Sequence, residues 1–591
     1  MTTEGRRTLA LALGLAGAFA WVALGPLTPA LEGSSDGERD LLRALRLVHG
    51  QWPESGPRIG DLDGHLQPGY ALLIAPVLWL SPTPLAVHAL HVLVVSAGLA
   101  ALFIALASRV GRPAAWLAVL TLAFGALVQQ SLVVVWHNSL VPGLVCLWFA
   151  TAARALTPGA PRALATLAAL TLVLLTTHAL AIGFVPPLVA IVFWSRRRVP
   201  HAAFVIAAVL TLAALVESGR IALVLLQASA SSGPGGLMAA LTRGLPLLGL
   251  MYAPTATGVV ALAILASAGS AVVALARRRF GPLQPFALLT LGTVLLQLAL
   301  TLLAARQVPH LRYYATAVPG LLVLGALGLG TMAARVPERV SVWAAVIVTV
   351  GVVATLPRSW AGRLSPDRQD DPALTLIEQV AVVDHLVARW SLEPASIERV
   401  HGVLHGPHGL ARFLGASRGT PATATSEVTV LTPNLPRPAQ AQRVEVLDVP
   451  GGRRLTLVRH APRPPAGSFV LRVEGALCPV ELPIHRSPSL TGADVGGPSP
   501  FLGCVTGARS LDVDLAPEAM REPLTLVVSH GHATGRERVV ALDAAGGAVP
   551  LEVVPVAPGS LLQVRRLLAS PGTPVTLRIL DPQQLEVLDL Y

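Results

Sequence analysis

Through its first ~360 residues the chain repeats apolar runs of about 20 residues, the length an α-helix needs to cross the hydrocarbon core of a bilayer. Eleven such runs can be drawn, at residues 8–30, 85–107, 114–131, 139–156, 163–178, 179–195, 201–223, 246–275, 284–305, 313–334 and 341–357. Gly69 to Leu80 is apolar too, but at 12 residues it is short for a crossing and predicts a helix lying on or dipping into the outer surface. With 53% hydrophobic and 13% charged residues and a mean hydropathy of +0.63, the chain is too apolar for a soluble enzyme. The pattern predicts a polytopic α-helical membrane protein of about 11 spans over residues 1–360.

All 44 basic residues are arginine. The lack of lysine excludes Schiff-base chemistry on lysine and a P-loop lysine, and leaves arginine and histidine to meet anionic groups. A formal net charge of +11 would suit a nucleic-acid partner, but much of the arginine sits in short loops between apolar runs, where it sets topology instead. No nucleic-acid partner is expected. Arg6 and Arg7, Arg109 and Arg112, Arg154 and Arg162, Arg196 to Arg198, Arg277 to Arg279, and Arg335 and Arg339 fall at every second turn. The positive-inside rule places them in the cytoplasm with the N-terminus, and the odd span count places the C-terminus outside. Residues 1–30 have a long apolar segment without a convincing small-x-small cleavage site, so they read as an uncleaved anchor and not as a signal peptide.

On that topology the loop Leu31 to Pro84 lies outside, and acids crowd its start: Glu32, Asp36, Glu38 and Asp40. Asp36 and Asp40 are four apart, so a helix beginning near Asp36 shows both carboxylates on one face. Facing water, such acids are merely solvated. Held in a cleft beside the bilayer, one of them can take a proton from an acceptor hydroxyl.

Composition changes after Pro357. A polar, proline-bearing linker at 365–372 leads into Leu376, Val380, Val383, Val387 and Trp390, which recur at helical spacing. Strand-like runs follow, predicting a small extracytoplasmic α/β unit at 365–460. From Ser468 onward short alternating runs between Gly, Pro, Asp and Ser predict a β-sandwich at 465–591, roughly 120 residues. Cys146 reads as a small apolar filler inside a span. Cys478 and Cys504 fall in the outer region, where an oxidising compartment permits a disulfide. No Cys–His cluster has zinc spacing, so no structural metal is expected.

Several stretches carry a resemblance in order along the chain. DGERDLLRALRLVHGQWP is followed by HLQPGYALLIAP, SLVVVWHNSLVPGLVCLWF, LLTTHALAIGFVPPLVAIVFW and HLRYYATAVPGLLVLGALGL. Together they resemble membrane glycosyltransferases of the GT-C superfamily, in particular bacterial members related to protein O-mannosyltransferases and the lipid A aminoarabinose transferase, over most of residues 1–340. The resemblance implies transfer of a sugar from a polyprenyl-phosphate donor to a glycan, lipid or protein acceptor at the outer face, among membrane lipids. It leaves a divalent cation requirement open. Asp36 matches the family's aspartate after the first span, which orients or deprotonates the acceptor. The family often has Glu directly after it; here that place is Gly37 and the nearest acid is Glu38, so either acid can be the catalytic one.

A departing polyprenyl phosphate needs cations near its phosphate. Arg312 can grip phosphate in two hydrogen bonds with Tyr313 beside it, or it can anchor the interface together with Tyr313 and Tyr314. His65, His137, Asn138 and His178 are further substrate-binding candidates near the same surface, or ordinary interfacial residues, and Trp136 reads the same way. Arg39 and Asp40 are candidates whose plainer reading is a solvated or capped helix. Glu217 and Arg220 read as an interfacial ion pair. Two other readings share these features: a transporter or flippase for a lipid-linked glycan, and a non-catalytic envelope assembly protein.

Overall fold

The structure is a computed structural model of the full chain. It describes residues 2–25, 28, 31, 35–53, 55–57, 65–157, 160–230, 256–304, 314–333, 337, 339–351, 375–390, 399–402, 413, 417, 427–431, 441–450, 452–460, 468–473, 476–483, 510–515, 525–530, 539–554, 562–570, 573–580 and 585–590. The chain divides into two compact units, Met1–Ala30 with Arg43–Arg363, and Leu31–Leu42 with Leu364–Tyr591.

The first unit is helical: α1 (Thr3–Leu24), the second half of α2 (Ser35–Val48), α3 (Gly69–Leu80), α4 (Pro84–Val110), α5 (Arg112–Phe124), α6 (Ala126–Val133), α7 (Val141–Ala155), α8 (Pro161–Thr177), α9 (Val185–Ser195), α10 (His201–Ala230), α11 (Ala256–Ala276), α12 (Gln284–Ala304), α13 (Val318–Ala333) and α14 (Arg339–Gly351). Local chemistry sets many starts. Thr83 caps α4 by accepting from the Ala86 amide, and a proline stands in the first turn of α4, α5, α7, α8 and α9, where its missing N–H costs nothing.

Each of the eleven predicted segments contains one of these helices. Among the described residues, however, only four helices are long and apolar enough to cross a bilayer alone: Thr3–Leu24, Pro84–Val110, His201–Leu225 and Gly281–Leu302. Arg112–Phe124 and Leu127–Val133, which meet at 43°, make a fifth if counted together. Helix length therefore supports four or five crossings and leaves the expected count of about eleven unestablished. Among the described residues 3₁₀ turns adjoin three of the shorter helices, His137–Leu140 before α7 and Ala179–Phe184 between α8 and α9.

Packing rests on small residues at crossings. A Cβ on Gly98 would meet the Gly143 carbonyl, and one on Gly143 would lie 2.7 Å from the Val95 Cα, so α4 and α7 approach backbone to backbone. Trp148, Phe149 and Phe184 form a fully buried aromatic knot, and the Trp148 indole donates to Thr171 at 2.9 Å. Leu93, Leu223 and Leu295 stay exposed on helix flanks, as apolar side chains do where hydrocarbon is the solvent.

Arginine gathers at one end of this unit. Arg112 pairs with Glu4 at 2.7 Å and donates to Thr8, which puts the start of α5 beside the start of α1. Arg109 donates to the Ala153 carbonyl at 2.8 Å, and Gly330 packs against Val110. The ends of α4, α7 and α13 thus share this side with the N-terminus.

Among the described residues the second unit contains residues of the 31–42 segment, α15 (Leu376–Trp390) and fourteen strands. Thr375 and Glu378 form a capping box: the Thr375 hydroxyl accepts from the Glu378 amide and the Glu378 carboxylate accepts from the Thr375 amide. Glu378 also meets Arg453 at 3.4 Å, and both are buried. The first sheet has the order β1 (Arg399–Gly402), β2 (Glu427–Leu431), β4 (Arg454–His460), β3 (Ala441–Asp448), with β1 and β2 parallel and the rest antiparallel.

Strands after 465 form two antiparallel sheets. One runs β10 (Ala548–Val549), β9 (Val539–Asp543), β13 (Val575–Leu580), β7 (Ser510–Leu515), β5 (Ser468–Val473), β6 (Ala476–Pro483). The other runs β11 (Leu551–Val554), β12 (Leu562–Leu567), β8 (Thr525–His530), β14 (Leu585–Leu590). Along β13, Val575, Leu577 and Ile579 are buried while Arg578 and Leu580 face out. Arg578 forms a bidentate pair with the directly opposed Asp512 at 2.8 and 2.9 Å. Cys146 is free and buried. The disulfide expected between Cys478 and Cys504 lies outside the described residues: Cys504 is not among them, and of Cys478 only its place in β6 is described.

Helix α15 docks on β3 through Glu445, which accepts from the Trp390 indole at 2.8 Å, lies 3.0 Å from His385 and pairs with Arg443 at 3.2 Å. The Trp390 hydrogen bond, aided by the His385 and Arg443 charges, holds this carboxyl below its ordinary value of 4.5. A carboxyl depressed on folding stabilises above its ordinary value and loses that contribution as pH falls through the depressed one. Acidification from pH 6 to 3 should therefore loosen the α15–β3 docking, read as a change in Trp390 emission. Glu445→Gln should remove this pH dependence; an unchanged acid profile in that variant would contradict the assignment.

Candidate functional site

The end of the first unit opposite the arginines is built from helix ends and breaks. His88, one turn into α4, lies with Nε2 3.2 Å from the Ala23 carbonyl at the end of α1. One turn on, His91 is fully buried, with Nε2 3.0 Å from the Tyr70 hydroxyl of α3. Tyr70 is buried as well, and its ring stands edge-on to His137 at 6.1 Å between centroids. His137 opens the 3₁₀ turn His137–Leu140 and packs at 5.6 Å against Trp136. Asn138 beside it is buried, with no hydrogen-bond partner for Oδ1 among the described residues.

The breaks are resealed by side chains. Ser139 Oγ lies 2.7 Å from the Ser131 carbonyl and 2.6 Å from that of Val134, where the α6 ladder has ended. His178, extended at φ −150, caps the 3₁₀ turn Ala179–Phe184 by accepting from the Leu180 amide at 3.2 Å. These sequence-predicted residues, His137, Asn138 and His178, are all buried at irregular backbone, where a buried polar group costs least if it satisfies the chain.

Beside this region runs a shallow, open apolar groove of about 480 Å³, whose α10 wall is largely exposed. Leu172 and Thr176 of α8 form one wall and Val209, Leu212, Ala213 and Val216 of α10 the other, with Gln67 and Glu217 also lining it. The start of α3 closes on the end of α8, since a Cβ on Gly69 would run into the Thr176 side chain. Glu217 is buried and binds Arg220 in a two-pronged pair, Nε to Oε2 at 3.0 Å and Nη2 to Oε1 at 2.6 Å. Arg220 Nη1 donates to the His65 carbonyl at 2.6 Å, so the main chain of His65 is tied to α10. Among the described residues these bonds engage three of the five guanidinium N–H groups, and the side chain is 38% exposed, so it can also meet an anion.

The acidic candidates belong to the second unit. Asp36 lies in the first turn of α2; its side chain is not among those described. Glu38 is buried and its Oε1 accepts from the Phe413 amide at 3.3 Å. Asp40 is 1% exposed and Arg39 half-buried on the same helix. Arg312 and Tyr313 lie outside the described residues, while Tyr314 is fully buried. Among the described residues no three His, Cys, Asp or Glu side chains come together as metal ligands.

Sequence reading passed over Tyr70, His88 and His91. The signal was there in two histidines three apart inside an apolar run, since polar residues in a span face the bundle interior. It also read Glu217 and Arg220 as an ion pair, which they are, without the groove beside them.

No protein-family model matches the chain, and neither does any curated protein. Among solved structures, it is similar to ArnT from Cupriavidus metallidurans bound to undecaprenyl phosphate, at 15% identity and a TM-score of 0.44, over 78% of this chain and 100% of that one. The apo state of the same protein gives 16% identity with the same score and coverage. The arabinosyltransferase EmbB from Mycobacterium smegmatis is similar at 14% identity and a TM-score of 0.31, over 100% of this chain and 65% of that one. Likenesses at this level transfer no substrate and no residue role.

Tyr70→Phe should leave the His91 imidazole without its partner inside the bundle, at a cost of about 1–3 kcal/mol. Thermal unfolding of the full chain in nanodiscs should shift to lower temperature. An unchanged midpoint would mean that the Tyr70–His91 bond contributes nothing to the site.

Proposed function

We propose that this chain is a membrane glycosyltransferase that moves a sugar from a polyprenyl-phosphate carrier to a glycan, lipid or protein acceptor at the outer face of the bacterial inner membrane. The observation that carries the reading is the apolar groove along α8 and α10 with the Glu217–Arg220 pair on its rim. Such a groove suits an isoprenoid chain, and the guanidinium has donors left for the phosphate that the chain carries. Glu217 fixes the plane of the guanidinium in advance, so little rotamer entropy is lost on binding.

In the reaction the acceptor hydroxyl attacks the anomeric carbon of the sugar. The bond from that carbon to the phosphate oxygen breaks, and polyprenyl phosphate leaves as an anion. A single displacement of this kind inverts the anomeric configuration. The hydroxyl proton goes to a carboxylate, a role assigned to Asp36 by its place directly after the first span. Arg312 and Arg220 are the cations proposed to meet the growing phosphate charge. His65, His137, Asn138 and His178 are proposed to line the sugar and acceptor path, with the C-terminal unit on the extracytoplasmic side.

The test uses the purified full chain in nanodiscs, with undecaprenyl phosphate binding read by native mass spectrometry. Ala213→Trp, which fills the groove, and Arg220→Ala should each weaken binding about 10-fold, about 1.4 kcal/mol. Asp36→Asn should bind as wild type yet lose roughly 100-fold or more in transfer from a panel of undecaprenyl-phosphate-linked glucose, mannose and arabinose. Wild-type binding in both groove variants would remove the lipid site, and wild-type transfer by Asp36→Asn would remove the base.

A further inference from the structure

Glu38 sits two residues after Asp36 in the first turn of α2, yet its carboxylate is buried and turned to the chain itself, accepting the Phe413 amide 375 residues away. Phe413 is fully buried. A second tie lies on the other side of Asp36, where the Leu376 amide donates to the Leu31 carbonyl at 2.6 Å and both side chains are fully buried. The element that supplies this tie is stiff. Leu376 opens α15 directly after the Thr375–Glu378 capping box, and Glu378 is held in turn by Arg453, at the start of the β4 strand whose Leu455 and Leu457 are core residues. Leu31 and Glu38, on either side of Asp36 in the sequence, are therefore each tied to the C-terminal body.

An acid in a helix's first turn is favourable there through the helix dipole alone. That effect needs neither burial nor a partner from another segment, and Glu38 has both. From this we infer that Glu38 is a positioning residue. Its bond to the Phe413 amide, with the Leu31–Leu376 tie, fixes the helical turn that carries Asp36, so the C-terminal body holds the catalytic turn as well as any partner it binds. The inference rests on Asp36 being the base; the anchoring itself does not.

Hydrogen exchange and transfer, both on the full chain in nanodiscs, separate the possibilities. Glu38→Ala should speed exchange of the amides at 37–42 by about 10-fold or more. It should also lower kcat by about 10-fold with the donor KM unchanged, as loss of orientation does. Glu38→Gln keeps an acceptor oxygen and should stay within about 2-fold of wild type in both measurements. Asp36→Asn should lose kcat without any change in exchange. Wild-type exchange in Glu38→Ala would overturn the anchor. A Glu38→Gln variant as inactive as Asp36→Asn, with its exchange intact, would make Glu38 the base and overturn the positioning role. If the wild-type chain transfers none of the three sugars, the glycosyltransferase reading falls, while the exchange results still decide whether Glu38 anchors the turn.

Discussion

A backbone that leaves its helix inside hydrocarbon must find new partners for every amide and carbonyl it exposes, because no water is there to take them. Among the described residues the helical unit meets this demand with side chains at its helix breaks. After α6 the Ser139 hydroxyl sits against the freed Ser131 and Val134 carbonyls, and after α8 the His178 ring takes the Leu180 amide. Each repair lets a helix stop early and turn, so polar side chains gather at one end of the unit instead of facing lipid. His178 is buried there for that reason, and His137 and Asn138 are buried beside the first repair.

The same constraint divides the charges. At one end Arg109 caps the Ala153 carbonyl while Arg112 pairs with Glu4 and donates to Thr8, both heads serving helix termini. At the other end the chain keeps a single described arginine–glutamate pair, Arg220 with Glu217, next to an apolar groove. A cation that already has its counter-ion is tolerable near hydrocarbon, and one with donors to spare can still meet a lipid phosphate. The C-terminal unit solves a different problem, holding residues 31–42 through main-chain and carboxylate bonds that span more than 300 positions of sequence.

What was legible in the sequence follows the range of the forces involved. The limits of α3 stand out because Pro68 and Gly69 precede an unbroken apolar run and Ser81, Pro82 and Pro84 follow it. The same short-range signals located the helix beginning at Leu376 and several of the C-terminal strands. The apolar runs marked where helices lie but not how long each continues, because a 3₁₀ turn such as Ala179–Phe184 is as hydrophobic as the helix around it. The acids of α2 were visible as a cluster, while the partner that sets Glu38 apart, the Phe413 amide, has no signature in spacing or composition. The groove was hidden for the same reason: its walls, Leu172 and Val216, are ordinary residues of two helices whose separation no local pattern encodes.

The proposed reaction breaks the bond between the sugar and the lipid phosphate, whereas a carrier moves the sugar-bearing lipid whole. The most direct measurement follows undecaprenyl phosphate carrying a radiolabelled sugar in proteoliposomes that contain the full chain and an extract of envelope acceptors. Free undecaprenyl phosphate should appear in step with label on the acceptor, and both should stop in Asp36→Asn. Movement of the intact labelled lipid between leaflets, with no undecaprenyl phosphate released, would contradict the proposed reaction and identify a transporter.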